Sequence, residues 1–235
     1  MSEFKELAEF YNIIYQNKPY KAEAQRVLDW IGYKPKTILD LGCGTGQHAK
    51  YWADKGIKVI GVDQSKEMLR FVPKHKNIIR WNSGIQAFIS PSVPIYSVVT
   101  ALFNVMGYAD LKRVIQYINI RKGGYFIFDI WDLAKVRAYP PQVKVEKFCD
   151  FSRVTIPEIL PNWGYRDGDL DSKILHIQYN FVHMDELIAR EDHYVRAYNL
   201  NTVFNWARKS GFEVERTKPY SREGDWPIWF MLKKR

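Results

Sequence analysis

The chain has 235 residues, 46% hydrophobic and 26% charged, with 35 lysines and arginines against 26 aspartates and glutamates and a net charge of +9. That length can bury a sizeable core in one domain, and two cysteines are too few for a disulfide framework or a cysteine metal cluster, so no metal site is expected. The longest apolar runs, such as Tyr125 to Ile130, are far too short to span a bilayer, and Met1-Ser2-Glu3-Phe4-Lys5-Glu6 lacks the regions of a signal peptide, so a cytoplasmic enzyme is expected. Basic residues stand in ones and twos, with short clusters at Lys74-His75-Lys76 and Lys233-Lys234-Arg235. They read as a solvated face, while a charge of this size also suits a nucleic-acid or phosphorylated partner.

Two helices are expected first, Glu3 to Gln16 and Tyr20 to Ile31, parted by Asn17-Lys18-Pro19, whose proline suits the first turn of the second helix. Strands follow at Lys36 to Leu41, Lys58 to Val62, Asn77 to Trp81, Tyr96 to Ala101 and Gly124 to Ile130, with helices between most of them. This alternation predicts an α/β fold, a doubly wound, mostly parallel, seven-stranded sheet with its ligand at the carboxyl ends of the strands. Val143 to Ile156 and Lys173 to Arg196 are β-branched and aromatic with partial period-two alternation, separated by a Pro/Gly/Asp-rich loop from Pro157 to Asp171; they read as an antiparallel insert over 138–197. Asn201 is expected to cap a last helix through Ser210, ended by Gly211, and Phe212 to Lys218 with Trp226 to Leu232 close the sheet as a reversed hairpin.

The first strand ends in Asp40-Leu41-Gly42-Cys43-Gly44-Thr45-Gly46, and Gln47 to Asp54 continues as a helix. Glycines at G-x-G-x-G permit a tight turn and keep Cβ atoms away from a ligand. Asp63 lies 21 residues beyond Gly42, at the end of the second apolar run, where a carboxylate can accept both ribose hydroxyls. A dinucleotide fingerprint asks for a third glycine where Gln47 stands, which weakens an NAD reading.

Leu39-Asp40-Leu41-Gly42-Cys43-Gly44-Thr45-Gly46 with Asp63 resembles the first two motifs of class I S-adenosylmethionine-dependent methyltransferases. The resemblance implies S-adenosylmethionine as cofactor, held by Asp40, Gly42, Cys43, Gly44, Gly46, Asp63, Gln64, Met68, Leu102 and Phe103. Relatives often place an Asp against the adenine; here Trp81-Asn82-Ser83-Gly84-Ile85 stands there, leaving the Gly84-Ile85 backbone and the Asn82 or Ser83 side chain for that task. The segment Tyr11 to Ala24 is similar to the N-terminal segment of bacterial sugar N-methyltransferases, which implies that Tyr11, Tyr15 and Tyr20 close over the methionine end. Phe128-Asp129-Ile130-Trp131 with Glu191 to Arg196 is similar to methyltransferases of polysaccharide gene clusters, with Trp131 and Arg196 on the substrate side.

After the fourth strand those sugar enzymes carry a histidine thought to act as base, and Tyr108 stands at the matching point. Candidate bases are therefore Tyr108, His193 and Glu191; Glu191, His193 and Val195 share one face of the expected strand and Asp192, Tyr194 and Arg196 the other. Arg196 could bind a substrate phosphate or pair with Asp192. The expected activity is methyl transfer to a nitrogen or oxygen of a small molecule, a nucleotide-linked amino sugar above all, by a monomer or homodimer. The alternatives are a nucleic-acid methyltransferase, favoured by the charge, and a non-catalytic cofactor-binding protein. Against the former, Leu102-Phe103-Asn104 replaces the Asn-Pro-Pro-Tyr type of turn of many adenine-modifying enzymes.

Overall fold

The computed structural model describes residues 4–90, 94–138, 142–160, 172–219 and 227–235, with the side chains of 216–219 outside that set. Two helices, α1 (Leu7–Ile14) and α2 (Tyr20–Ile31), precede the sheet. Then come β1 (Thr37–Leu41), α3 (Gln47–Asp54), β2 (Lys58–Asp63), α4 (Lys66–Arg70), β3 (Ile78–Asn82) and β4 (Tyr96–Ala101). These are followed by α5 (Leu111–Tyr117), β5 (Ile120–Asp132) and α6 (Leu133–Ala138). The insert is β6 (Lys144–Lys147), β7 (Ser152–Ile159), β8 (Ser172–His183) and β9 (Glu186–Tyr198), and α7 (Leu200–Lys209), β10 (Phe212–Pro219) and β11 (Pro227–Lys234) complete the chain.

The core sheet runs β3-β2-β1-β4-β5-β11-β10, parallel from β3 through β5 and antiparallel at β11 and β10. Parallel strands buried on both faces need continuous apolar runs, which is why Ile38, Leu39, Leu41, Phe126, Ile127 and Phe128 are fully buried. The register of β1 on β2, Thr37↔Lys58 through Leu41↔Val62, brings the two carboxyl ends level, so the glycine loop and Asp63 leave the sheet side by side. One core cluster, around Leu39, Phe128 and Phe230, packs on one face of the sheet, and another, around Trp52, Ile127 and Trp229, on the opposite face.

The insert joins this sheet where β9 pairs in parallel with the last residues of β5, Trp131↔Ala197 and Asp132↔Tyr198, giving eleven strands among the described residues. The expected Lys173 to Arg196 run is two strands, turned at Met184 and Asp185, both with positive φ (47° and 66°). Two-residue hairpins of this kind usually carry Asn-Gly or Asp-Gly, and that signal is missing here. Likewise Val143 to Ile156 divides into β6 and β7, and β7 continues through Pro157 to Ile159, so the separating loop begins later than expected. Its residues 161–171, with Pro140 and Trp226, lie outside the described set.

The first helix begins at Leu7 rather than Glu3, without a side-chain cap, and residues 4–6 form an irregular strap. Leu7, Ala8 and Tyr11 bury against Met68 of α4 and against Phe151 and Phe181 of the insert, with Phe10 stacked on Phe181 at 4.6 Å. Each large apolar side chain among them, such as Leu7, stabilises the docking by about 1.5–3 kcal/mol, so α1 bridges the core and the insert over the carboxyl edge of the sheet. The last helix is capped by Asn199, whose side chain accepts the Asn201 N–H at 2.9 Å, not by Asn201 itself.

Candidate active site

Over the carboxyl edge lies a cavity of about 200 Å³, bounded by the glycine loop, the ends of β2, β4 and β5, the strap and α1, and Tyr179 of the insert. Gly42, Gly44 and Gly46 all have positive φ (66°, 55° and 76°), which a side chain tolerates poorly. The structure corrects the reason for two of them. A Cβ on Gly42 would meet both Val105 methyls at 2.5 Å, so this glycine makes room for the loop after β4, and on Gly46 the Cβ would meet Val72 at 2.9 Å. Gly42 and Gly44 line the cavity; Gly46 does not.

Asp63 stands at the cavity wall, accepting the Gly44 N–H with Oδ2 and the Ser65 N–H with Oδ1, each at 2.9 Å. Burial pushes its carboxyl above the ordinary value, opposed by these backbone donors. Each oxygen keeps a lone pair for a ribose hydroxyl. Gln64, Met68, Ser83, Gly84, Ile85 and Gln86 continue the wall from Asp63. Asn82 does not line it: its amide donates to the carbonyls of Asp63 and Gln64 at 3.1 and 3.0 Å and so braces the turn that carries them.

The loop after β4 is shaped by an acid that the sequence left unassigned. Asp129, on β5 and buried, accepts the N–H groups of Phe103 (2.6 Å) and Asn104 (2.9 Å), both residues in left-handed conformations (φ 72° and 56°). Both carboxylate oxygens thus accept, while burial pushes the carboxyl up to about 7, opposed by Lys18 and those two donors. Asn104 in turn accepts the Trp131 N–H through Oδ1 at 3.2 Å, which fixes its amide orientation and leaves Nδ2 buried without a protein partner at the cavity. A buried donor of this kind costs about 1–3 kcal/mol unless a ligand satisfies it. The signal for Asp129 was a lone carboxylate inside the apolar run Tyr125 to Trp131.

Tyr108 lines the cavity, and its hydroxyl is 3.0 Å from Nδ1 of His193; Nε2 of His193 is 2.9 Å from Oε2 of Glu191. His193 is fully buried, stands outside the lining, and is hydrogen-bonded to the lining residue Tyr108. The expected strand face is observed: Glu191, His193, Val195 and Ala197 are buried. Tyr194 and Arg196 lie on the opposite face, so Arg196 points away from the cavity, and Asp192 bonds His176 at 2.7 Å. Aromatic groups crowd the same end, with Phe4, Tyr11, Tyr15, Phe103, Trp131 and Tyr179 in the lining. Arg153 donates to the Tyr15 hydroxyl at 3.2 Å and bonds Glu146, tying α1 to the insert.

Three further expected contacts are corrected. Asp40 is beneath the loop rather than at the cavity, accepting from the Thr100 hydroxyl at 2.7 Å, and burial pushes its carboxyl up to about 7, countered by that bond and reinforced by Asp63. Cys43 packs its sulfur where Gly61 lacks a Cβ, and burial raises its thiol well above the ordinary value, so it fills space. Tyr20 lies edge-on to His48 at 5.1 Å, outside the lining, next to a buried network in which Glu23 bonds His48 (2.7 Å) and Lys18.

The lining suits S-adenosylmethionine. Among the described residues it carries two carboxylates, Asp63 and Asp129, and no lysine or arginine, which complements a ligand with a sulfonium and an ammonium. Residues 38–119 match the family described as Methyltransferase domain. This match places a methyltransferase domain in the chain. It is 23% identical over 238 residues to the putative methyltransferase YqeM of Bacillus subtilis, covering 91% of this chain and 87% of that one. It is 30% identical over 137 residues to a dTDP-3-amino-3,6-dideoxy-alpha-D-glucopyranose N,N-dimethyltransferase of Streptomyces fradiae, covering 54% and 53%. The chain spans 41% to 53% of the length of several curated relatives that it matches. The crystal structure of DesVI from Streptomyces venezuelae superposes with a TM-score of 0.71 at 16% identity, over 97% of this chain and 98% of that one, which shows the methyltransferase fold. Among the described residues no helix is long and apolar enough to cross a membrane, and no cluster of three or more metal-ligating acids, histidines and cysteines occurs.

Proposed function

We propose that this methyltransferase acts on a nitrogen or oxygen of a small molecule, with a nucleotide-linked amino sugar as the substrate class. The observation that carries the reading is the Tyr108 hydroxyl, backed by His193, at the aromatic end of the cofactor cavity. Asp63 would hold the ribose, the Ser83-Gly84-Ile85 wall the adenine, and the β4 loop and Tyr11 and Tyr15 the methionine end. The bound cofactor supplies an electrophilic methyl group on sulfur, and the protein supplies alignment, worth about 7–11 kcal/mol when attack is made effectively intramolecular. Tyr108 and His193 would take the proton that the acceptor loses, a contribution of about 10²–10⁴ in rate. The aromatic acceptor end, without lysine or arginine among the described lining residues, supports a sugar ring inside the cavity rather than its diphosphate. The Streptomyces fradiae relative, named as an amino-sugar N,N-dimethyltransferase, supports the same class. The net charge of +9 favours the second reading, a nucleic-acid acceptor. Incubation with methyl-labelled S-adenosylmethionine and two acceptor pools, nucleotide amino sugars and bulk tRNA with DNA, separates them. Label in the sugar fraction supports the proposal, and label confined to nucleic acid overturns it.

A further inference from the structure

We infer that Glu191 is a positioning residue that makes His193 the acceptor of the Tyr108 proton, and that the N-terminal strap completes this arrangement by binding Glu191 from above. The inference rests on the reading of Tyr108 as the group facing the acceptor.

The bonding is asymmetric. Glu191 uses Oε1 to accept the backbone N–H of Glu6 at 2.7 Å and Oε2 to face Nε2 of His193 at 2.9 Å. An ionised carboxylate only accepts, so Nε2 must carry the imidazole proton, and Nδ1 is left with a lone pair 3.0 Å from the Tyr108 hydroxyl. That tautomer can receive a proton from Tyr108; the other tautomer cannot. Among the described residues the ring is bounded by Phe4, edge-on at 4.7 Å, and by Tyr179 of β8, edge-on at 5.0 Å, while Tyr108 and Glu191 face its two nitrogens. During transfer the acceptor lone pair forms the bond to the methyl carbon and the C–S electron pair leaves with sulfur. The acceptor proton passes to the Tyr108 oxygen as the tyrosyl proton passes to Nδ1. The resulting imidazolium is balanced by Glu191.

The strap is held at two points. Besides the Glu6 bond, the Phe4 carbonyl accepts from the Ser65 hydroxyl at 3.0 Å, and Ser65 is the residue whose N–H binds Asp63. Phe4 has a positive φ (64°) and its ring touches both Tyr108 (5.4 Å) and His193 (4.7 Å). The same three residues therefore roof the cavity, contact the ribose arm and fix the relay carboxylate.

Glu191→Gln is the decisive variant. Its amide oxygen would keep the Glu6 N–H, which turns the amide NH₂ toward Nε2 and forces the proton onto Nδ1, where it points at the Tyr108 oxygen and leaves no lone pair to take the tyrosyl proton. ¹⁵N NMR of the ligand-free protein at pH 8, with His193 assigned through its contacts to the Phe4 and Tyr179 rings, reads the tautomer directly. The expected result is Nε2–H in the wild type and Nδ1–H in Glu191→Gln, with kcat falling about 10²- to 10⁴-fold, the range of a lost general base, and S-adenosylhomocysteine affinity within twofold. Glu191→Asp should restore the wild-type tautomer and part of kcat. Glu6→Pro deletes the strap donor and, besides it, an exposed ion pair of the Glu6 side chain with Lys5 at 3.6 Å, which Glu6→Ala removes alone as the control; Glu6 already has φ −76° and proline is tolerated at a helix start, so kcat should fall about tenfold in Glu6→Pro only, the equivalent of one charge-assisted hydrogen bond. Nδ1–H in the wild type, or unchanged kcat in Glu191→Gln, overturns the role of Glu191, and full activity in Glu6→Pro overturns the role of the strap. The tautomer measurement needs no acceptor, so it stands or falls independently of the substrate class.

Discussion

Gly42→Ala separates two reasons for a glycine in the cofactor loop. If the glycine serves only ligand approach, the variant folds normally and loses cofactor affinity. The structure points elsewhere, because the new Cβ would sit 2.5 Å from both Val105 methyls and the backbone is left-handed (φ 66°). Left-handed backbone costs a non-glycine residue about 1–2 kcal/mol, and forcing a methyl into packed space about 1–3 kcal/mol more. The sum, about 2–5 kcal/mol, is a large part of the roughly 5–15 kcal/mol that holds a domain together. At about 2–4 °C per kcal/mol for a chain of this size, Tm should fall by about 4–20 °C, followed by circular dichroism. Adding Val105→Ala removes the two methyls in the way, so the double variant should regain the steric part, with a coupling of about 1–3 kcal/mol in the cycle and the backbone part remaining. A Gly42→Ala protein with wild-type Tm, or one whose loss is additive with Val105→Ala, would refute this reasoning.

Asp63→Ala should abolish measurable S-adenosylhomocysteine binding in calorimetry while the protein stays folded; retained affinity would show that the ribose is held elsewhere. Tyr108→Phe should lower kcat by about 10²–10⁴ with cofactor affinity unchanged, and a fall in affinity instead would make Tyr108 part of the cofactor wall. Asp40 and Asp129, with folded pKa values raised to about 7 from 3.8, favour folding in the protonated form. Their contribution is fully present below pH 3.8 and is lost as pH rises through 7. Asp40→Asn keeps an oxygen for the Thr100 hydroxyl and removes one of these two titrations, so the decline in denaturation midpoint between pH 4 and 7.5 should become shallower, and an identical decline would show that Asp40 is ionised throughout.

How much was legible follows from what each signal depends on. The second helix, Tyr20–Ile31, and the fourth strand, Tyr96–Ala101, were read to the residue because a proline start and an uninterrupted β-branched run are local facts. The placement of Asp63 beside Gly44 was legible too, since parallel strands joined by a helix must bring their carboxyl ends to one edge. Strand periodicity also placed His193 and Arg196 on opposite faces, although it could not say which face met the cavity. The turn at Met184-Asp185 escaped because its residues carry no turn signature, and the strap escaped because helical periodicity runs past the place where Leu7 begins the helix.

Sequence alone determined the α/β order, the glycine loop and the acid at the end of β2, because strand length, turn chemistry and spacing act between neighbours along the chain. Tertiary structure decided the rest. That Asp40 bonds Thr100 instead of facing a ligand, that Gly42 makes room for Val105, that Asp129 shapes the β4 loop and that Glu191 meets the Glu6 backbone depend on contacts between residues 25 to 185 positions apart, with the largest separation that of Glu6 and Glu191 and the smallest that of Asn104 and Asp129. Hydrogen-bond partners and the space a Cβ finds are set by packing, and packing has no period in the sequence.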